Sequence, residues 1–90
     1  MYISPEDYDL QPLLIKQGAL ILWGVSLLRW ADRGYVHHLY QLNDFYAEMC
    51  YDETTGHLTE IATFRSKHQL AAHLDLMTIQ RLTVSSEAKG

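Results

Sequence analysis

The sequence predicts an α+β fold: a helix, a four-stranded antiparallel β-meander and a second helix, with the helices mainly on one face of the sheet. Three observations carry this. Phe45 to Phe64 reads as a β-hairpin, with aromatic and strand-compatible residues on either side of the polar loop Asp52-Glu53-Thr54-Thr55-Gly56. The connections between strand-like runs are short, which permits antiparallel pairing and leaves no room for parallel crossovers. Ser66-Lys67-His68-Gln69 is a capping box that opens a final helix.

Taken in order, Ser4-Pro5-Glu6-Asp7 is a helix start: a capping hydroxyl, proline in the first turn, then acids near the positive end of the dipole. Tyr8, Leu10, Leu13, Leu14 and Gln17 fall near one helical stripe, but a proline at position 12 would kink a continuous helix. Either a short first turn precedes the helix, or the helix begins near Asp9 with Pro12 in its first turn. The expectation is a helix over roughly 9–17 with Gly18 just past its end.

Ala19 to Ala31 has two readings. As a strand, Ile21, Trp23, Val25 and Leu27 share one face, and Leu20, Leu22, Leu28 and Trp30 the other. As a helix, the segment continues from Leu13 to Trp30 with Gly18 and Gly24 inside, at about 1 kcal/mol each relative to alanine. Asp32-Arg33-Gly34 is a turn signature suited to a hairpin, so strand is favoured.

Tyr35 to Leu42 is β-rich, Asn43-Asp44 turns the chain, and Phe45 opens the hairpin. Glycine near the end of the 52–56 loop supplies the positive φ that a bulged turn needs. After Ser66, the residues Leu70, His73, Leu74 and Met77 repeat at helical spacing, which places a helix over about 67–76. Leu76 to Val84 reads equally as an extension of that helix or as a short strand. The domain is set at 1–84, with 85–90 a disordered polar tail.

Ninety residues make one small domain, able to bury roughly 60–65% of its unfolded surface. The net charge of −4 and the scattered cations (Lys16, Arg29, Arg33, Arg65, Lys67, Arg81, Lys89) supply no phosphate-neutralising stripe, so no nucleic-acid partner is expected. One cysteine, Cys50, rules out an intramolecular disulfide. The acidic start carries no secretory pattern, and the most apolar run, Ala19 to Leu28, is too short to span a bilayer. The expected compartment is the cytoplasm, away from membranes.

Leu39-Tyr40, Asp44-Phe45-Tyr46-Ala47-Glu48, Tyr51-Asp52, Phe64-Arg65-Ser66 and Leu70 to Asp75 resemble a family of short uncharacterised bacterial proteins with a helix, β-meander, helix layout. The resemblance covers roughly residues 13–76 and implies the fold alone; it transfers no activity, cofactor or site residue. Met49-Cys50 departs from the pattern, standing where a more β-branched or aromatic pair is expected.

The chemistry-bearing residues favour a non-catalytic role. His37 and His38 are adjacent in a strand and point to opposite faces. His68 and His73 lie about 140° apart on a helix, a poor pair for chelation. His57 stands in the turn, and a site composed from different elements, such as His37 or His38 with His57, is the remaining metal reading. Cys50 lacks the flanking signature of a cysteine nucleophile. Glu48 and Glu60 can face each other across the hairpin, but general acid–base work requires one of them buried with a raised pKa. No catalytic, cofactor-binding or metal residue is assigned, and no cofactor is expected.

The aromatic residues are the functional lead. A four-stranded sheet has two faces and two short helices cover about one, which leaves apolar surface for a partner. The expected function is therefore an interaction module that self-associates as a homodimer, or binds another protein, through an aromatic sheet face. Trp23, Trp30, Tyr40, Tyr46, Glu48 and His38 are the candidates for that interface or for a pocket. The alternative is a small-ligand-binding domain, or an enzyme, whose pocket between sheet and helices is lined by Trp23, Tyr40, Tyr46 and a histidine.

Overall fold

The computed structural model describes residues 2–75. The order is α1 (Pro5–Asp9), α2 (Leu13–Trp23), β1 (Val25–Asp32), β2 (Tyr35–Leu42), β3 (Phe45–Asp52) and β4 (Leu58–Phe64), followed by α3, helical over 67–75. The expected α+β layout of helix, antiparallel meander and helix is present: the strands form one sheet in the order β1-β2-β3-β4 with antiparallel neighbours. Expectations for residues 76–84 and for the tail at 85–90 lie outside the described residues.

The N-terminal boundaries differ from the expectation. The 9–17 helix is two helices. Ser4 caps α1, its hydroxyl accepting from the Asp7 amide at 3.1 Å, with Pro5 in the first turn. Pro12 occupies the N-cap of α2 with φ −59°, where its missing N–H has no intrahelical partner to lose. Gly18 does not stop the helix, which runs on to Trp23. The 19–31 strand is correspondingly divided: residues 19–23 finish α2, and the strand begins at Val25. Burial of Leu20 in the core outweighs the helix penalty of the single interior glycine. Gly24 is not inside the helix but ends it, with its amide donating to the Leu20 carbonyl at 2.9 Å. A Cβ at Gly24 would stand 2.5 Å from that carbonyl oxygen and 3.1 Å from the Tyr40 ring, so glycine is what lets the chain leave the helix straight into β1.

Alternation along the ladders assigns the two faces. Tyr40, Leu42, Phe45, Ala47, Met49 and Ile61 share one. This face carries α1 and α2: Tyr8 and Leu20 join Tyr40, Leu42, Phe45, Ala47 and Met49 in the core. The Tyr8 and Phe45 rings lie 5.4 Å apart and tilted, and the Tyr8 hydroxyl donates to the Lys16 carbonyl at 2.8 Å, tying α1 to α2. Burial pushes that phenol's pKa well up, so it stays a donor. The helices are thus mainly on one face, with one addition. α3 returns over the opposite face, where its His73 ring packs tilted against Phe64 with centroids 4.7 Å apart.

The turns explain the tight meander. Arg33 and Gly34 both have positive φ (53° and 87°), the two-residue turn whose twist matches flanking strands. Between β3 and β4, Asp52 Oδ1 accepts from the amides of Thr54 and Thr55 at 2.8 and 2.9 Å, and Gly56 takes φ 76°. Those two amides hold the Asp52 carboxyl below its ordinary pKa. At α3 the Ser66 hydroxyl accepts from the Gln69 amide at 3.2 Å. The returning arm of the capping box lands one residue early, since the Gln69 side-chain oxygen Oε1 accepts from the Arg65 amide at 2.7 Å.

Candidate functional site

α2 has two unlike sides. Its inner side sends Leu20 into the core, fully buried. Its outer side presents Leu14, Ile15, Ile21 and Leu22 to solvent, with Leu14 75% and Leu22 71% exposed. These four positions share a helix face with Gly18 at its centre. Trp23 at the helix end is 52% exposed. The apolar exposure continues into β1, an edge strand, through Val25, Leu27 and Leu28. The register shifts between Ser26 and Leu28, so Leu27 is the extra residue of a bulge, a feature that twists an edge away from simple strand addition.

A polar cluster lies on the sheet face opposite the core. Glu48 is buried there. One of its oxygens is 3.2 Å from His73 Nε2 on α3, and the other is 3.4 Å from His37 Nδ1 on β2. The second contact is within ion-pair reach yet not aligned as a hydrogen bond, leaving His37 Nδ1 buried without a hydrogen-bond partner. Trp30 stacks flat on the His37 imidazole at 5.1 Å. One carboxylate bridging imidazoles from two elements fastens α3 to the sheet. Among the described residues no three His, Cys, Asp or Glu side chains are grouped to hold a metal ion.

The core-side face holds a second cluster, formed by Ser26, His38 and Tyr40. Ser26 Oγ is 2.7 Å from His38 Nε2, and the Tyr40 hydroxyl is 3.1 Å from His38 Nδ1. Burial first, then the Arg29 charge, lowers the His38 pKa, so the ring is neutral near pH 7 and exchanges hydrogen bonds with both hydroxyls. Burial and the nearby Tyr51 raise the Tyr40 phenol. Beside this group is an open cleft of about 320 Å³ lined by Arg29, Val36, His38, Tyr51, Asp52 and Glu53.

No family model, no curated protein and no solved structure matches this chain. Among the described residues, no helix is long and apolar enough to cross a membrane.

The six candidates named from the sequence are spread over the molecule. Tyr40 and His38 are on the core-side face, with Tyr40 buried. Trp30, Tyr46 and Glu48 are on the opposite face, and Trp23 ends α2. Strand alternation separates neighbours in sequence, so these rings do not gather into one aromatic patch. The space between α2 and the sheet is filled by Tyr8, Leu20 and Phe45, and the cleft lies to one side of it. Sequence reasoning missed the outer stripe of α2, because residues 19–31 were assigned to a strand. The spacing of Leu14, Ile15, Gly18, Ile21 and Leu22 was the signal that would have found it.

Proposed function

We propose that the protein is a small non-catalytic interaction module that self-associates, and that it does so through the outer side of α2 with the adjoining start of β1. The observation that supports this is the exposure of Leu14, Ile15, Ile21 and Leu22 along one face of an ordered helix whose other face is already packed. Leaving such a stripe in water forgoes about 25 cal/mol for each Å², and patches of this kind mark partner sites. The occupant is a second copy. Six exposed side chains (Leu14, Ile15, Ile21, Leu22, Trp23, Val25), at roughly 60–120 Å² each, supply on the order of 500 Å² per copy, at the lower end of specific interfaces. A cytoplasmic setting, in which the buried free thiol of Cys50 stays reduced, accompanies this reading.

Sedimentation velocity on the full chain over a range of concentrations tests it. Reversible dimerisation is expected, with Leu22→Glu shifting the population to monomer while near-ultraviolet circular dichroism stays unchanged. A wild-type chain that remains monomeric at millimolar concentration overturns the reading.

The cleft beside Arg29 and His38 favours a second reading, a small-ligand domain. Arg29 forms no ion pair among the described residues, whereas Asp52 and Glu53 line the same cleft, a charge arrangement suited to a zwitterion. Glutamate titrated into the labelled protein would then shift the amides of Arg29, His38 and Tyr51 together.

A further inference from the structure

We propose that the two copies cross α2 over α2 at Gly18, about a two-fold axis passing beside that residue; this rests on the self-association reading above. Glycine in a helix interior is unfavourable relative to alanine, and here nothing among the described residues gives a reason for it. Gly24 is required by a backbone carbonyl in the way of a Cβ, and Gly34 and Gly56 by their positive φ. At Gly18 an added Cβ would meet nothing within 4 Å, and the backbone is ordinary α-helix. A space that the chain leaves open on the outer side of its own helix is a space available to another chain.

The stripe around Gly18 is symmetric. Apolar side chains stand four and three residues before it (Leu14, Ile15) and three and four after it (Ile21, Leu22). A two-fold axis at Gly18 sets Leu14 and Ile15 of one copy against Leu22 and Ile21 of the other. It brings the two glycines together where the axes cross. Two-fold interfaces require a self-complementary patch of this kind, and a stripe built for an unrelated partner has no need to mirror itself. Helix axes normally pack 8–10 Å apart according to the side chains at the crossing, and glycine there permits the closest approach. Charge does not oppose the contact. Lys16 is the only ionised residue of α2 and lies two positions from Gly18, off the stripe. The acids of the N-terminal region, Glu6, Asp7 and Asp9, belong to α1, and together with the net charge of −4 they disfavour an anionic membrane as the occupant.

The test uses the full chain as wild type and as single-residue variants. Sedimentation velocity on Gly18→Leu is expected to show dimerisation weakened by at least about tenfold, because the side chain wedges the crossing open. Thermal melts at low concentration are expected to show no loss of monomer stability, because the wedge points into solvent. Gly18→Cys under mild oxidation is expected to give a covalent dimer linked at position 18, whereas Leu10→Cys, remote from the axis, gives none. If Gly18→Leu dimerises as tightly as wild type and Gly18→Cys does not cross-link, the crossing is overturned while self-association stands. A wild type that never dimerises overturns both. Binding of wild type, but not Leu22→Glu, to phosphatidylcholine vesicles without any dimer in solution assigns the stripe to a bilayer and overturns both as well.

Discussion

β1 and β3 are strands of equal length and opposite fate. Each has eight residues, and each is rich in large apolar side chains. In β3, Phe45, Ala47, Glu48, Met49 and Cys50 are all buried; in β1 the first five residues are all exposed. Composition does not separate them. β3 has a strand on either side, the α1 and α2 core above it and His73 of α3 below, whereas among the described residues β1 is bonded along one edge alone. Burial is decided by neighbours, so the apolar side chains of β1 and of the adjoining outer side of α2 stay exposed although their composition matches that of a buried strand.

The largest effect expected from breaking this contrast comes from truncating the centre of β3. Phe45→Ala removes a fully buried ring packed against Tyr8 and should cost about 3–5 kcal/mol, read as a fall in the urea midpoint at constant m-value. Next is the junction that delivers the chain to β1. Gly24→Ala drives a Cβ into the Leu20 carbonyl, and relief requires a backbone shift costing about 1–3 kcal/mol. The same truncation on β1, Leu28→Ala, should change monomer stability by no more than about 0.5 kcal/mol. A larger loss in dilute protein would mean that β1 is covered after all, and the contrast with β3 would collapse. The smallest effect is on pH dependence. The folded His38 pKa lies below its ordinary 6.5, so below about pH 6.5 the unfolded chain binds more protons than the folded one. Stability from this group is complete above that pH and declines as pH falls through it. His38→Gln should flatten that part of the wild-type stability profile, measured by urea denaturation at stepped pH.

The sheet was legible because its signals are local. β2 and β4 occupy the residues that alternation and turn chemistry indicated, and the acidic turn with Gly56 at positive φ behaves as its composition demands. The caps at Ser4 and Ser66 were legible for the same reason. The segment from Gly18 to Ala31 was not, because its two glycines look alike in sequence and differ in space. One has open surroundings within a helix, and the other is fixed by an oxygen 2.5 Å from where a Cβ would stand. The Glu48 cluster was equally invisible. It joins His37 and His73, two residues 36 positions apart on different elements, and no spacing rule links residues that meet only when α3 folds back across the sheet.

The direct passage from helix to ribbon at Gly24 carries a mechanical consequence. α2 ends at Trp23 and β1 begins at Val25, so residue 24 is the whole link and would be the fulcrum of any rotation of one against the other. A load that rotates the helix would reach the sheet's border through that single residue. An inserted stretch of flexible chain at that fulcrum would uncouple the two while leaving each intact.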